Sequence, residues 1–379
     1  MSSYSVMIKP ASSLCNLRCR YCFYADVAEN RKTPSFGVMR PETAQAVLQN
    51  IFSCLKPGDE ITFAFQGGEP TMAGLDFFRD FSRLADRRDP KIRVHYALQT
   101  NATLLDDAWC EYLRQYDYLV GVSFDLLPQI HDSARPDASG KGTYRAAADA
   151  LKLLERHRVR YNVLCTLTNL LARHPAAVYK QLLKLDIRYV QFTPCLDSLE
   201  NDEAAEKPSE NVYALTPQRF ASFYTALFRS WLSDYRAGNY RSVKLFDDLI
   251  GLLATGIPST CDVGGACSPQ FVIESDGSVY PCDFYCTDRY RLGDMTAQTL
   301  SELRSGEAMS AFLGRFHARP RLCGDCRYRQ FCGGGCKRMQ KEICCSENGT
   351  FCGTRAFLDG CMPDMMRIAR LERRALNNF

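Results

Sequence analysis

Over the first two-thirds of this chain, short apolar runs alternate with amphipathic helical stretches, and this alternation limits the possible folds more than any other feature. Residues 4–8, 61–65, 94–98, 118–124, 161–167 and 189–192 read as strands. Helical patterns separate them at 41–55, 75–87, 106–115, 143–156 and 175–185. Pro41 after Arg40 fits a first helical position, and Glu42 favours the positive end of the helix. Repeated β-α units imply parallel strands joined by right-handed crossovers. Six strands suit an open partial (β/α)6 barrel, and the count alone suits a doubly wound sheet equally well. Residues 198–210 turn acidic and polar, as in a surface loop, and helical patterns follow at 217–235 and 243–253. From Cys261 onward cysteines and glycines become dense and long periodic segments vanish, which places a domain boundary near 236–240. Within that region, 271–274 and 278–280 flank Ser275-Asp276-Gly277 and read as a hairpin.

The chemistry lies in the cysteines. Cys15, Cys19 and Cys22 form a Cys-x3-Cys-x2-Cys triplet directly after the first strand, where a parallel barrel keeps its active site. Three thiolates on one loop can hold three irons of a [4Fe-4S] cluster and leave the fourth iron open. The alternative is a zinc knuckle, which lacks a fourth His or Cys soon after Cys22. Gln66-Gly67-Gly68-Glu69-Pro70 follows the second strand: glycines let the backbone approach a ligand, and the carboxylate suits an ammonium group. A second series comprises Cys261, Cys267 and Cys282, then Cys323-x2-Cys326-x5-Cys332-x3-Cys336, with Cys352 beyond. These eight thiols could fill two four-ligand sites, and spacing alone also allows a pair of zinc ribbons. Nineteen cysteines in a chain without an export signal speak for metal or cluster ligation rather than a disulfide framework, and for a reducing cytoplasm. No apolar run approaches membrane-spanning length, and a net charge of +4 does not mark a nucleic-acid binder.

The triplet and the Gly67-Gly68-Glu69 loop resemble the radical S-adenosylmethionine (SAM) enzymes, and the later cysteines resemble their SPASM extension. Longer strings narrow the resemblance: Ile8-Lys9-Pro10-Ala11-Ser12-Ser13, Cys22-Phe23-Tyr24, Ala64-Phe65-Gln66-Gly67-Gly68-Glu69-Pro70-Thr71, Leu98-Gln99-Thr100-Asn101 and Ser278-Val279-Tyr280-Pro281-Cys282-Asp283-Phe284-Tyr285 are similar to anaerobic sulfatase-maturating enzymes almost end to end. The resemblance implies a partial barrel over 1–236, a SPASM domain over 237–379, SAM and three [4Fe-4S] clusters. Cys15, Cys19 and Cys22 would hold the first cluster. Cys261, Cys267, Cys282 and Cys336 would hold one auxiliary cluster, and Cys323, Cys326, Cys332 and Cys352 the other. Tyr21, Gly68, Glu69, Ser123, Arg135 and Leu196 would contact SAM, with Tyr24 and Gln66 near it or the substrate. Asp283 would be the general base in oxidising a Cys or Ser of an unfolded sulfatase polypeptide to formylglycine. A flavodoxin- or ferredoxin-type protein would supply electrons, with no nucleic acid or membrane involved.

The chain departs from that family at one loop. Where the family reads Ser-x-Asp-Gly-Pro, this chain has Ser123-Phe124-Asp125-Leu126-Leu127-Pro128, so a glycine-type backbone at Leu126 would be strained. Cys54, Cys110 and Cys165 read as small buried hydrophobes. Cys195, Cys286, Cys344, Cys345 and Cys361 receive no role, and the five histidines show no ligand spacing. A SPASM maturase acting on another peptide is the nearest rival. Such enzymes often carry a leader-binding domain before the barrel, and the triplet at residue 15 leaves no space for one. An iron-sulfur carrier without enzymatic activity would need neither the Gly67-Gly68-Glu69 loop nor Asp283.

Overall fold

The computed structural model describes residues 2–199, 211–314, 320–346 and 349–376. The expected loop over 198–210 and His317 fall largely or wholly outside the described residues. Among the described residues there are ten strands: β1 (Ser3–Ile8), β2 (Glu60–Phe65), β3 (Arg93–Thr100), β4 (Leu119–Ser123), β5 (Arg160–Leu167), β6 (Tyr189–Pro194), β7 (Ser242–Val243), β8 (Val272–Ile273), β9 (Ser278–Tyr280) and β10 (Gly293–Asp294). The first seven helices are α1 (Phe23–Glu29), α2 (Pro41–Phe52), α3 (Leu75–Ala85), α4 (Asp107–Gln115), α5 (Pro128–Ala134), α6 (Tyr144–Arg156) and α7 (Pro175–Lys184). The chain divides into two compact units: Met1–Ser123 with Asp132–Tyr161 and Pro269–Arg315, and Phe124–His131 with Asn162–Ser268 and Phe316–Phe379.

In the first unit, β1 to β4 lie parallel and in chain order. A doubly wound sheet reverses its order at a switch point; this run never reverses, as in barrel winding. The sheet is mixed, because β8 joins β1 in parallel and then continues antiparallel through β9 to β10. The expected hairpin is therefore β8–β9, attached beside the first strand. Alternation along β2 buries Ile61, Phe63 and Phe65 and leaves Thr62 and Ala64 on the opposite face. Phe65 meets Phe78 and Phe81 of α3 at ring-centroid distances of 4.9 and 5.0 Å. Each such ring contributes about 1.5–3 kcal/mol on burial, which fixes the register of β2 and hence the face that Gln66 presents.

In the second unit, β5, β6 and β7 are parallel neighbours. Thr216 caps the helix Pro217–Arg236 through its side chain, with Pro217 at the first turn. That helix packs Tyr224 against Phe357, at a 5.7 Å centroid distance, from a 24-residue helix, Gly353–Leu376. This last helix corrects the expectation that periodic segments end after Cys261. Phe357, Leu358, Cys361, Met365, Ile368 and Ala369 form its buried stripe, interrupted in sequence by Gly360 and Pro363. Among the described residues no helix is long and apolar enough to cross a membrane.

Candidate active site

In the first unit the cysteine triplet occupies the loop between β1 and α1. All three thiols are half-buried. Cys22 is the N-cap of α1 and makes no side-chain capping bond, so its thiol is not committed to the helix. Backbone bonds hold the loop: Arg18 N donates to Pro136 O at 2.8 Å and Arg20 N to Ala134 O at 2.9 Å. The Arg135 guanidinium, nearly buried, lies 5.2 Å from the Tyr21 ring centroid and 3.9 Å from Cys19 Sγ. Burial pushes the Cys15 thiol up to about 12, with Cys19 and Cys22 adding to the rise. Such a thiol ionises only against a strong partner, which a metal supplies. Among the described residues no three His, Cys, Asp or Glu side chains converge tightly enough to share one metal ion. The donor set is instead three thiols on one short loop, each available to a separate iron, and it fits a [4Fe-4S] cluster.

The Gly67-Gly68-Glu69 loop is sewn onto this cysteine loop. Gly68 N donates to Ser12 O at 2.8 Å and Glu69 N to Leu14 O at 2.7 Å. A Cβ at Gly68 would stand 2.1 Å from Leu14 O, and one at Gly67 would stand 3.0 Å from Ser12 O. The glycines thus permit backbone-to-backbone packing, a reason the sequence reading did not give. Glu69 is 1% exposed, and its carboxylate accepts from Thr71 Oγ1, Thr71 N, Thr100 Oγ1 and Asn101 N at 2.6, 3.1, 2.7 and 2.7 Å. Burial still raises its pKa above the ordinary carboxylate value, against the pull of those bonds. The carboxylate joins the ends of β2 and β3. Asn101 then reaches Asn16 at 2.8 Å beside Cys15, and Gln99 donates to Ser123 Oγ at 2.9 Å.

Asp283 follows Cys282 at the end of the β8–β9 hairpin and is 6% exposed. Its Oδ2 accepts from Tyr24 Oη at 2.6 Å and from Gln66 Nε2 at 3.3 Å, while Gln66 also donates to Tyr24 at 2.5 Å. Lys9 Nζ stands 3.2 Å from Oδ1, which has no aligned hydrogen bond. Tyr24 rises well above the ordinary tyrosine value, first through burial and then through Asp283. Asp283, Tyr24 and Gln66, read from separate stretches of sequence, therefore meet. Sequence reasoning missed Lys9, a single cation just after the first strand, which carries no pattern of its own.

In the second unit the later thiols sort into two groups. Burial pushes Cys336 up to about 12, and the neighbouring Cys261 and Cys267 thiols add to the rise. Cys352 is raised first by burial and then by Cys332, Cys323 and Cys326. Cys336 thus keeps company with the earlier pair rather than with the cysteines that precede it in the chain. Cys344, unassigned from sequence, is buried near Cys352, Cys332 and Cys323. Leu196 is buried in this unit beside Cys195, and Cys282 belongs to the first unit.

Comparison with known proteins fits these features. Residues 10–177 match the Radical SAM superfamily and residues 261–327 match SPASM, an iron-sulfur cluster-binding domain. The chain is 40% identical over 342 residues to a cysteine-type anaerobic sulfatase-maturating enzyme of Clostridium novyi, covering 90% of each chain. The chain belongs to the anaerobic sulfatase-maturating enzymes. Other members of this family include a cysteine-type enzyme of Clostridium perfringens, 37% identical over 97% of this chain and 99% of its own, and a serine-type enzyme of Klebsiella pneumoniae, 30% identical over 92% and 85%. Native anSMEcpe with bound AdoMet superposes with a TM-score of 0.88 at 36% identity, covering 97% of this chain and 99% of that one. Membership makes this chain a radical SAM oxidoreductase with [4Fe-4S] clusters.

Proposed function

We propose that this enzyme oxidises a cysteine in an unfolded sulfatase segment to formylglycine, with Asp283 as the base. The observation that carries the reading is the Asp283 carboxylate beside Cys282, with Oδ2 held by Tyr24 and Gln66 and Oδ1 without an aligned donor. Relatives support the target: the chain is 40% identical to a cysteine-type member and 30% identical to a serine-type one, and a structure of anSMEcpe contains AdoMet and the Cp18Cys peptide. The same reading assigns the site residues. Cys15, Cys19 and Cys22 hold the first cluster, and SAM rests among Tyr21, Gly68, Glu69, Ser123, Arg135 and Leu196. Cys261, Cys267, Cys282 and Cys336 hold one auxiliary cluster, and Cys323, Cys326, Cys332 and Cys352 the other. The functional division is then 1–236 for radical chemistry and 237–379 for the auxiliary clusters, although the hairpin bearing Asp283 folds with the N-terminal unit.

When bound, SAM and the clusters supply a radical that removes a hydrogen atom from the substrate Cβ and an acceptor for the electron that must then leave. The protein's own contribution is to the proton. Asp283 Oδ1 takes the thiol proton as the carbon-sulfur double bond forms; water then replaces sulfur and leaves the aldehyde. Tyr24 and Gln66 donate to Oδ2, whereas Oδ1 has only the ion pair with Lys9 and no aligned hydrogen bond, so Oδ1 is the oxygen that takes the proton. The same reading places the enzyme in a reducing cytoplasm, with electrons from a flavodoxin- or ferredoxin-type donor. Asp283→Asn separates the two halves of the reaction. It should release 5′-deoxyadenosine from SAM at near wild-type rate while aldehyde falls by about 10²–10⁴-fold; undiminished aldehyde would remove Asp283 from the role.

A further inference from the structure

We infer that Lys9 is a positioning residue for Asp283, held in place by a Glu274–Arg31 pair that supplies the rest of a buried, charge-balanced chain. The inference rests on the reading of Asp283 as the base. Lys9 is 2% exposed and Glu274 is fully buried. Taking an ammonium out of water costs several kcal/mol unless its partners compensate, so a lysine here needs a counter-charge. Two carboxylates are in reach, Asp283 at 3.2 Å and Glu274 at 3.6 Å. Glu274, however, is already paired with Arg31 at 2.6 Å. Two cations and two anions then balance, and the charge of Lys9 is left for Asp283.

The directions of the pKa values agree with this pairing. Burial works against the charged form of Lys9, yet Cys286, Asp283 and Glu274 raise its value overall. Burial likewise opposes ionised Glu274, but Lys9 and Arg31 lower it overall. The Nζ also lies 4.8 Å from the Tyr24 ring centroid, so Lys9 braces both the carboxylate and the phenol that binds its other oxygen. The Cβ–Cγ torsion of an aspartate is intrinsically soft. Contacts at both oxygens, Tyr24 and Gln66 on Oδ2 and Lys9 on Oδ1, stop its rotation. Glu274 follows β8, next to β1, and Arg31 lies just past α1; Arg31 also donates to Pro34 O at 3.0 Å. The segment after the cluster helix and the hairpin bearing Asp283 are thereby tied to the end of the first strand.

The experiment uses the anoxic, cluster-reconstituted enzyme with SAM, dithionite and a peptide containing Cys-x-Pro-x-Arg. Deoxyadenosine and aldehyde are quantified separately for Lys9→Met, Lys9→Arg, Glu274→Gln and Asp283→Asn. Iron content and the cluster EPR signal are recorded for each protein. A misplaced base costs about 10²-fold, so Lys9→Met should lower aldehyde kcat by about that factor. Peptide KM, iron content and deoxyadenosine release should stay within about twofold of wild type, so the ratio of deoxyadenosine to aldehyde rises. Lys9→Arg should recover at least about tenfold of the lost kcat, because it restores the charge. Glu274→Gln should raise the ratio in the same direction, and it serves as the reporter if Lys9→Met does not fold. A wild-type ratio in both Lys9→Met and Glu274→Gln, even with lower total activity, would make the chain of charges merely structural and overturn the inference. Wild-type aldehyde from Asp283→Asn would instead reject the base on which it rests.

Discussion

Leu126 sits at φ +63° with its side chain fully buried. A non-glycine residue in this region costs about 1–2 kcal/mol. Leu126 therefore takes a glycine-type backbone, and the strain expected from the sequence is present. Nearby bonds hold it: Asp125 Oδ1 accepts from Thr166 N at 3.0 Å and Asp125 N donates to His131 Nδ1 at 3.2 Å. Leu126→Gly would release the strain but lose a buried leucine, about 2–5 kcal/mol, and add chain entropy to the unfolded state. The loss dominates, so denaturant unfolding should show a destabilisation of about 2–4 kcal/mol; a stabilised variant would mean that strain outweighs packing. At this scale the sequence exposed residues whose type declares their chemistry: Asp283 beside Cys282, and the cysteines themselves. Lys9 stayed hidden because its importance lies in partners at 31, 274 and 283, distant in the chain, and a single lysine after a strand has no pattern.

Among the elements, the two loops after β1 and β2 behave as one layer. Gly68 makes this possible, since a methyl group there would meet the Leu14 carbonyl oxygen at 2.1 Å. Gly68→Ala should therefore force the cysteine loop to move, with about 1–3 kcal/mol lost to overpacking. A thermal melt and an iron assay would register the shift, and an unchanged melt with full iron content would show that the loops are not coupled. The strands and the helices between them were legible because their periods of 2 and 3.6 survive in sequence. Three kinds of element were not. The seven-residue α1 follows directly on Cys22 and is too short for a clear period. β7 and β10 are two-residue strands, defined by their partners rather than by composition. The helix Gly353–Leu376 hides its stripe behind Gly360 and Pro363.

For the whole molecule, what remained illegible in the sequence is the sorting of distant thiols. Spacing groups Cys336 with Cys323, Cys326 and Cys332, whereas folding sets it near Cys261 and Cys267 and leaves the other three with Cys352. Double substitutions test that assignment, because ligands of one cluster are not independent. Each cluster contains four irons, so the full protein should bind about twelve. Cys336→Ala and Cys352→Ala should each lose about four irons, and their combination about eight. Cys336→Ala with Cys261→Ala should lose no more than Cys336→Ala alone. Additive loss in that last pair would return Cys336 to the other group. The most direct measurement incubates anoxic, reconstituted protein with SAM, a reductant and either a Cys-x-Pro-x-Arg peptide or its Ser equivalent, and reads products by mass spectrometry. The account predicts 5′-deoxyadenosine together with formylglycine, formed faster on the Cys peptide; deoxyadenosine with no aldehyde on either peptide would contradict it.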